Sequence, residues 1–272
     1  MSPEVLAQTL GFVSIEVVGE GTFKTVYKAT DPDGDTRALK ILKRSPSERD
    51  KRELDSMARC DHPSIVKIHG SGSIKSSAGE ISYVLEDFVE GGSLRDLINT
   101  QGLLTPQECL EMLIQMAPVL DHMRDQMVVH RDIKPANILV KPGPHFILTD
   151  FGIARVLDMA SLTKDFVNSG PGTAYFASPE QFNNDKQMID WRSDQFNLGV
   201  CAYNSVYGSH PYAEGNEDIG VVLGRLSNRI GPSTTAVKRL QEDGLGAVVK
   251  LIEPWPFARY MEYDQLRGAL EA

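Results

Sequence analysis

The 272-residue sequence lacks an excess of positive charge and lacks long apolar runs. Its 28 Lys and Arg residues stand against 37 Asp and Glu residues, which gives a net charge of −9. Because neutralising a nucleic-acid backbone needs Lys and Arg in excess, we expect no general nucleic-acid binding. No apolar run approaches the ~20 residues of a membrane-spanning helix, and the first residues lack the basic and apolar regions of a signal peptide. We therefore expect a cytoplasmic protein with no membrane segment in this chain.

Cysteine and histidine are few and are not spaced for a metal site. The three cysteines, Cys60, Cys109 and Cys201, lie far apart and form no C-x-x-C pair. The six histidines show neither H-E-x-x-H nor H-x-x-E-H spacing. We therefore expect reduced cysteines, and neither a disulfide framework nor a zinc centre. With 41% hydrophobic and 24% charged residues, the composition is that of an ordinary globular protein.

The first third of the sequence alternates apolar and polar residues with the period of β-strands. Strands are predicted at residues 12–18, 25–29, 37–42, 65–69 and 81–85. The turn residues at 31–35 predict a hairpin, and the Ser- and Gly-rich residues 70–80 predict a loop. Residues 47–60 predict a helix with Leu54, Met57 and Ala58 on one face.

Helical periodicity begins after Gly91 and Gly92. Residues 94–98 predict a short helix, and Thr105 followed by Pro106 is typical of the start of a long one. The apolar residues of the long helix recur at intervals of three and four: Leu110, Leu113, Ile114, Met116, Ala117 and Leu120. Pro118 lies inside this run, so we expect a kink or an early break there. Helices dominate again from residue 191 onward.

Gly19 and Gly21 lie in a turn between the first two predicted strands. Glycines let a turn bring its backbone N–H groups close to phosphate oxygens. G-x-G turns between strands are common, however, so this turn alone does not identify a nucleotide site. The P-loop consensus and the strand-to-helix setting of a dinucleotide fold are both missing.

Four further motifs follow in order along the chain. They are Ala38-Leu39-Lys40, the HRDIKPAN segment at residues 130–137, Asp150-Phe151-Gly152, and Ser178-Pro179-Glu180. With the glycine turn, this set resembles the eukaryotic-type (Hanks-type) serine/threonine protein kinase family, in its bacterial style, over about residues 12–270. The resemblance implies one domain, residues 1–272, with the bilobal α+β kinase fold. Its N-terminal lobe, a small antiparallel sheet plus one helix, is expected at about 1–86. The hinge is expected at about 87–92 and the mainly helical C-terminal lobe at about 93–272.

The same resemblance implies an ATP-dependent enzyme that phosphorylates protein substrates on Ser and Thr. It also implies that the enzyme phosphorylates its own activation segment. Asp132 matches the catalytic aspartate that orients the substrate hydroxyl and accepts its proton. Lys134 matches the lysine near the γ-phosphate that is typical of serine/threonine kinases. Asn137 and Asp150 match the two ligands of Mg²⁺, for which Mn²⁺ is an alternative.

The resemblance also implies which residues bind ATP. Lys40 matches the lysine that holds the α- and β-phosphates, and Glu53 matches its ion-pair partner. Adenine is expected to contact the backbone of Asp87 and Val89 at the hinge. The full set of expected ATP-binding residues is Val18, Gly19, Glu20, Gly21, Thr22, Phe23, Lys24, Val26, Ala38, Lys40, Glu53, Glu86, Asp87, Val89 and Leu139.

Two departures from the family pattern concern the nucleotide site. Lys24 replaces the third glycine of the turn, which we expect to reduce its flexibility without preventing ATP binding. Ungapped alignment of residues 83–92 places Glu86 at the back of the adenine pocket, where the family usually has an apolar residue or Thr. A buried carboxylate needs a partner, so we expect Glu86 to compete with Glu53 for Lys40 and to favour a resting state. A one-residue shift of this register would place Leu85 there instead.

The family pattern also assigns regulatory and structural residues. Arg131 matches an arginine that commonly binds a phosphate on the activation segment, here residues 150–180. The candidate phosphorylation sites are Thr163, which we prefer for its central position, Ser161 and Ser169. Thr173 resembles the threonine of the substrate-docking loop. Asp194 resembles a buried aspartate that braces the catalytic loop, and Arg259 resembles the partner of Glu180.

Two other functions are considered for this sequence. A pseudokinase scaffold would bind nucleotide or partner proteins without transferring phosphate. Such a scaffold would not need all the catalytic residues that the chain retains. A small-molecule kinase would generally lack the Gly-Thr and Pro-Glu segments. Kinases of this family often dimerise through the small lobe, so a homodimer is a further expectation. The sequence does not distinguish a complete protein from a catalytic domain of a longer one.

Overall fold

The computed structural model describes residues 3–21, 24–47, 54, 57–76, 79–150 and 174–272. Within these residues, five strands form one antiparallel sheet in the first third of the chain, and helices dominate the rest. The architecture is therefore the α+β arrangement that the sequence predicts. Of the helices in these residues, none is both long enough and apolar enough to cross a bilayer.

The sheet is built from hairpins. Its strands are β1 (Ser14–Glu20), β2 (Lys24–Thr30), β3 (Thr36–Leu42), β4 (Ile68–Ser76) and β5 (Gly79–Asp87), in the spatial order β1-β2-β3-β5-β4. The turn between β2 and β3 is closed by the Asp31 carboxylate, which accepts the backbone N–H groups of Asp33 and Asp35 at 3.0 and 2.9 Å. The hairpin predicted at residues 31–35 is confirmed.

Residues 70–76 and 79–80 do not form the loop that their Ser and Gly content predicts. They form most of β4 and the start of β5, which pair as a hairpin. Packing across the two strands outweighs low strand propensity here. A Cβ on Gly72 would lie 2.7 Å from the Tyr83 hydroxyl oxygen, so glycine lets this ring lie over the neighbouring strand. The Ser73 hydroxyl also donates a hydrogen bond to Glu80.

The helix predicted at residues 47–60 lies only partly within the described residues. Leu54 and Met57 are buried, and the Ala58 N–H donates to the Leu54 carbonyl at 2.9 Å, as in a helical turn. Ala58 is exposed, so of the three residues predicted on one face only Leu54 and Met57 are buried. Ala58 lies just past the last helical residue, Met57.

A short helix that the sequence pattern did not indicate, α1 (Pro3–Leu10), covers the outer face of the sheet. Leu6 is buried there in one apolar cluster with Ala29, Leu39 and Ile74. Eight residues make only about two helical turns, which is too short a stretch for periodicity alone to reveal.

Two helices follow the sheet, α2 (Leu94–Gln101) and α3 (Pro106–Asp125). Thr105 caps α3, and the Glu108 carboxylate accepts the Thr105 N–H in return, which completes a capping box. The early break expected at Pro118 is wrong, because α3 continues to Asp125. Ala117 and Val119 on either side of the proline are buried, so the packing of this face offsets the missing backbone hydrogen bond.

The remaining described elements complete the helical part, and those at residues 145–148, 191–207 and 263–270 contact α3. The remaining elements comprise the short hairpin β6 (Ile138–Lys141) and β7 (His145–Leu148), then α4 (Pro179–Phe182), α5 (Trp191–Tyr207), α6 (Ile219–Ser227), α7 (Thr234–Glu242), α8 (Gly246–Leu251) and α9 (Tyr263–Leu270). The segment between β5 and α2 passes directly against β6, because a Cβ on Gly91 would lie 1.6 Å from the Val140 carbonyl oxygen. The Val140 N–H donates to the Gly92 carbonyl at 2.9 Å, which fixes the sheet relative to the helical part.

Candidate active site

The loop between α3 and β6 gathers three polar side chains. The Asp132 carboxylate accepts hydrogen bonds from the Lys134 ammonium at 2.8 Å and from the Asn137 side-chain amide at 3.0 Å. A short 3₁₀ turn at Pro135–Asn137 brings residue 137 back beside residue 132. An ionised carboxylate held in this way can orient a hydroxyl group and accept its proton.

Asp194 of α5 holds the backbone of this loop. Its two carboxylate oxygens accept the N–H groups of His130 and Arg131 at 2.8 and 2.7 Å. These bonds hold Arg131 at a φ of 67°, which residues other than glycine rarely adopt. Burial raises the pKa of the Asp194 carboxyl to about 7, against the two backbone donors that lower it. Asp194 is therefore buried and bonded to the backbone of this loop.

His130 connects the loop to the segment before Asp150. Its Nδ1 accepts the Asp132 N–H at 3.3 Å, and its Nε2 donates to the Thr149 carbonyl at 3.0 Å. Burial lowers the pKa of this histidine to about 4, so the ring is neutral at pH 7. The Thr149 N–H in turn donates to the Asn137 carbonyl at 2.9 Å. Asp132, Asn137 and Asp150 are therefore placed by one connected backbone network.

A cluster of two lysines and two carboxylates lies where the sheet meets this network. Asp150 accepts from the Lys40 ammonium at 2.6 Å and forms a second ion pair with Lys24. Lys40 also pairs with Glu86, and both side chains are buried. Burial alone would raise the pKa of the Asp150 carboxyl, but the ammonium groups of Lys24 and Lys40 together hold it well below its usual value.

The strand register decides which residue faces this cluster. Ala38 of β3 pairs with Glu86 of β5, and Leu39 pairs with Leu85. Because neighbouring residues of a strand point to opposite faces, Glu86 shares the inner face with Ala38 and Lys40. Leu85 packs instead on the outer cluster that contains Leu39. The structure therefore follows the ungapped register, not the one shifted by a residue.

The expected adenine-binding residues form apolar surfaces on both sides of the cleft. Ala38 is buried in β3, while Val18 in β1 is about half exposed at 48%. Below, Val89 and Leu139 pack in one small cluster with Val66 and Ile147. Asp87 ends β5, and its N–H donates to the Lys67 carbonyl at 3.0 Å.

The glycine turn and β2 complete the opening of the cleft. The Gly21 N–H donates to the Lys24 carbonyl at 2.9 Å, which closes the turn. Gly19 pairs with Val26 across β1 and β2. Glu20 faces outward to the exposed Lys43, whose ammonium lies 3.2 Å away.

Glu180 and Arg259 form a fully buried ion pair in the helical part. The guanidinium donates to both carboxylate oxygens, at 2.6 and 3.0 Å, and the Ser193 hydroxyl donates to the first of them at 2.7 Å. Arg259 lowers the pKa of the Glu180 carboxyl, in opposition to burial, which raises it. This pair ties α4 to the segment before α9.

Seven of the expected site residues lie outside the described residues. They are Thr22, Phe23, Glu53, Ser161, Thr163, Ser169 and Thr173. Their proposed roles stay predictions.

Two polar residues of the site were missed by sequence reasoning. The Thr149 hydroxyl donates to Glu86 at 3.2 Å and accepts from Lys40 at 3.1 Å. The Gln181 amide donates to the Arg131 carbonyl at 3.0 Å, and its oxygen accepts the Ser178 N–H at 2.9 Å. A usable signal existed for Gln181, because Ser followed three residues later by Gln has the spacing of a capping box.

Residues 12–251 match the protein kinase domain family. The chain belongs to the protein kinase family. This kinase domain is 31% identical over 263 residues to the serine/threonine-protein kinase PknB of Mycobacterium leprae, a match covering 94% of this chain and 42% of that protein. It is 30% identical over 262 residues to PknB of Mycobacterium tuberculosis (strain H37Rv), covering 94% of this chain and 41% of the relative. The kinase domain thus spans about two fifths of the length of these curated relatives.

The fold of the kinase domain also has a solved counterpart. The crystal structure of Rad53 1-466 in complex with AMP-PNP matches with a TM-score of 0.69 and 24% identity, covering 96% of this chain and 64% of that chain. This similarity concerns the fold alone. Family membership and the predicted kinase fold class are confirmed together.

Proposed function

We propose that this kinase domain transfers the γ-phosphate of ATP to serine and threonine hydroxyls of protein substrates. The proposal rests mainly on one observation. Lys40, Asp132 and Asp150 come from three separate segments and lie around one cleft. Lys40 contacts Asp150 directly, and the backbone bonds of Thr149 connect Asp150 to the Asp132 loop. The two PknB relatives are named serine/threonine kinases, which supports this choice of hydroxyl.

The residues present suit a divalent cation. The Asp150 carboxylate and the Asn137 amide oxygen are hard oxygen ligands on adjacent segments, and Mg²⁺ usually takes one or two carboxylates plus substrate phosphates. The lowered pKa of Asp150 keeps this ligand anionic at pH 7. When bound, Mg²⁺, or Mn²⁺ in its place, would neutralise charge on the phosphate oxygens. Asp150 and Asn137 are the residues that would hold it.

The side chains then have separate tasks. Asp132 would orient the substrate hydroxyl and accept its proton. The Lys134 ammonium, 2.8 Å from Asp132, would lie beside the transferred phosphoryl group. Phosphoryl transfer needs little covalent help from the protein, so positioning and charge neutralisation account for most of the catalysis.

The remaining expectations belong to the same proposal. The lobes would be residues 1–86 and 93–272, joined by a hinge at 87–92. Autophosphorylation would fall on Thr163, with Ser161 and Ser169 as alternatives, and Arg131 would bind the resulting phosphate. The kinase domain would also form a homodimer through its small lobe.

One observation favours a second candidate, a scaffold that does not transfer phosphate. An ammonium group has three N–H donors, and those of Lys40 have three acceptors within the protein: Glu86, Thr149 and Asp150. A nucleotide must displace one of these contacts to reach Lys40. A scaffold could keep them permanently.

Transfer of labelled phosphate from ATP to a basic protein substrate, followed by phosphoamino-acid analysis, tests the proposal. The wild type should label serine and threonine but not tyrosine. Asp132→Asn should lower the rate by about 10²- to 10⁴-fold, the usual contribution of a positioned base. Asp125→Asn, which alters an exposed aspartate at the end of α3, is the matched control and should keep the full rate. Binding of ATP without any labelling would establish the scaffold instead.

A further inference from the structure

Lys24 holds an unusual position for a lysine. It is the first residue of β2, at the end of the glycine turn, and its carbonyl closes that turn by accepting the Gly21 N–H. Its side chain reaches back to Asp150, the candidate metal ligand at the far side of the cleft. The Lys24 side chain is 23% exposed and that of Asp150 is 18% exposed, so this ion pair is only partly buried.

Lys40 is placed differently in the same cluster. Its side chain is only 5% exposed, and Glu86 and Thr149 hold its ammonium from behind. The Thr149 hydroxyl also donates to Glu86, so the Glu86 carboxylate is fixed by two donors. A phosphate oxygen that approached Lys40 would compete with the buried Glu86 carboxylate, whose ion-pair partner among the described residues is Lys40.

The cluster as a whole is electrically balanced, with two ammonium groups against two carboxylates. A cation bound at Asp150 would repel both ammonium groups from that carboxylate. Lys40 keeps Glu86 as its partner in that event, whereas Lys24 loses its ion-pair partner. The long, flexible stem of a lysine lets Lys24 move to a new anion in the cleft.

We propose that Lys24 is a second phosphate-binding lysine. It supplies positive charge to the nucleotide phosphates, because Glu86 neutralises the charge of Lys40. The inference rests on the proposed function, because it concerns the same nucleotide site. It assigns a binding role to a residue that replaces a glycine of the family pattern.

Calorimetric titration with ATP and with adenosine, both in the presence of Mg²⁺, tests the proposal without measuring activity. Lys24→Met should weaken ATP binding by about tenfold or more, the equivalent of losing one hydrogen bond between charged groups. Adenosine has no phosphates, so its dissociation constant should not change. Lys24→Arg should retain most of the ATP affinity. Lys75→Met, which removes an exposed lysine from β4, is the charge-matched control and should bind ATP like the wild type.

The Glu86→Met background gives a second, independent measurement. Glu86→Met returns Lys40 to the nucleotide, so Lys24→Met should weaken ATP binding by a smaller factor there than in the wild type. Circular dichroism checks that each variant is folded, and Lys24→Gln replaces Lys24→Met if the latter is not.

Three outcomes would overturn the proposal. Unchanged ATP affinity in Lys24→Met would make Lys24 a counter-charge for Asp150 only. Tighter ATP binding would make it an inhibitory contact, and equal losses for ATP and adenosine would indicate a disturbed turn. In each case phosphate transfer by the wild type would leave the proposed function standing. A wild type that binds no ATP would instead overturn the proposed function itself.

Discussion

At the scale of single residues, three histidines share one local arrangement. The Nδ1 atoms of His62, His130 and His210 each accept the backbone N–H of the residue two positions later, at 3.1, 3.3 and 3.1 Å. His210 also donates from Nε2 to the Tyr175 carbonyl at 3.0 Å. Protonation of Nδ1 would remove its acceptor, and burial lowers the pKa of His210 to about 3. The folded state therefore keeps this ring neutral.

The neutral His210 ring predicts a loss of stability in acid. Between pH 6.5, the ordinary pKa, and pH 4 the unfolded chain binds a proton on this ring that the folded chain refuses. The free energy of unfolding therefore falls as pH falls through this window, by up to about 1.4 kcal/mol per pH unit for one proton. His210→Asn keeps an acceptor for the local turn but does not titrate. Urea unfolding across the window should show a shallower pH dependence in the variant, and an unchanged slope would contradict this explanation.

Glu86 predicts a gain of function. Glu86→Met removes the carboxylate that holds Lys40 from behind, while Asp150 still balances the ammonium charge. We expect the ATP affinity to rise by about tenfold, which corresponds to about 1.4 kcal/mol and to a weak hydrogen bond between charged groups. Leu85→Met alters the next residue on the opposite face of β5 and should leave ATP binding unchanged. If Glu86→Met bound ATP no better than the wild type, the idea of a resting state held by Glu86 would be dropped.

Of the contacts made by single residues in the cleft, some could be predicted from the sequence and others could not. Alignment to the family placed Glu86 at the back of the cleft, and its pairing with Lys40 agrees with that placement. The contact between Lys24 and Asp150 was not predicted, because the two residues are far apart in sequence. Where a long, flexible side chain reaches depends on how two distant segments pack, which no local pattern encodes.

At the scale of elements, the buried pair of Glu180 and Arg259 joins α4 to the segment before α9. Glu180→Gln would leave the guanidinium buried without a full counter-charge, which typically costs about 3–5 kcal/mol of stability. Denaturant unfolding should show this loss. Glu242→Gln removes the same charge from an exposed pair with Lys238 in α7 and should cost less than about 0.5 kcal/mol. Equal effects of the two substitutions would show that the buried pair does not join these elements.

The elements themselves were predictable to different degrees. Three hairpin strands follow from period-two alternation, and α3 follows from its Thr105 and Pro106 start. β4 was mistaken for a loop because its Ser and Gly residues are stabilised by β5 and not by their own propensity. Helix α1 was missed because it is held by the outer face of the sheet. In both cases long-range packing decides what a short segment forms.

At the scale of the whole molecule, the fold was predicted from the order of motifs and not from periodicity. The catalytic loop is positioned by contacts between residues far apart in sequence, such as that of Asp194 with His130, 64 residues apart. Periodicity predicts elements but not which of them meet. The family resemblance supplied that information, and the protein kinase domain match over residues 12–251 confirms it.

Intact mass spectrometry of the wild type and of Asp132→Asn, before and after incubation with Mg²⁺ and ATP, tests phosphate transfer most directly. We expect mass increases in steps of one phosphate for the wild type alone, with peptide mapping then testing Thr163. Asp132→Asn should keep its original mass while still binding ATP. Mass gain in both proteins would contradict the role of Asp132. Absence of gain in both, with ATP bound and a protein substrate also unlabelled, would contradict the proposal that this domain is an active kinase.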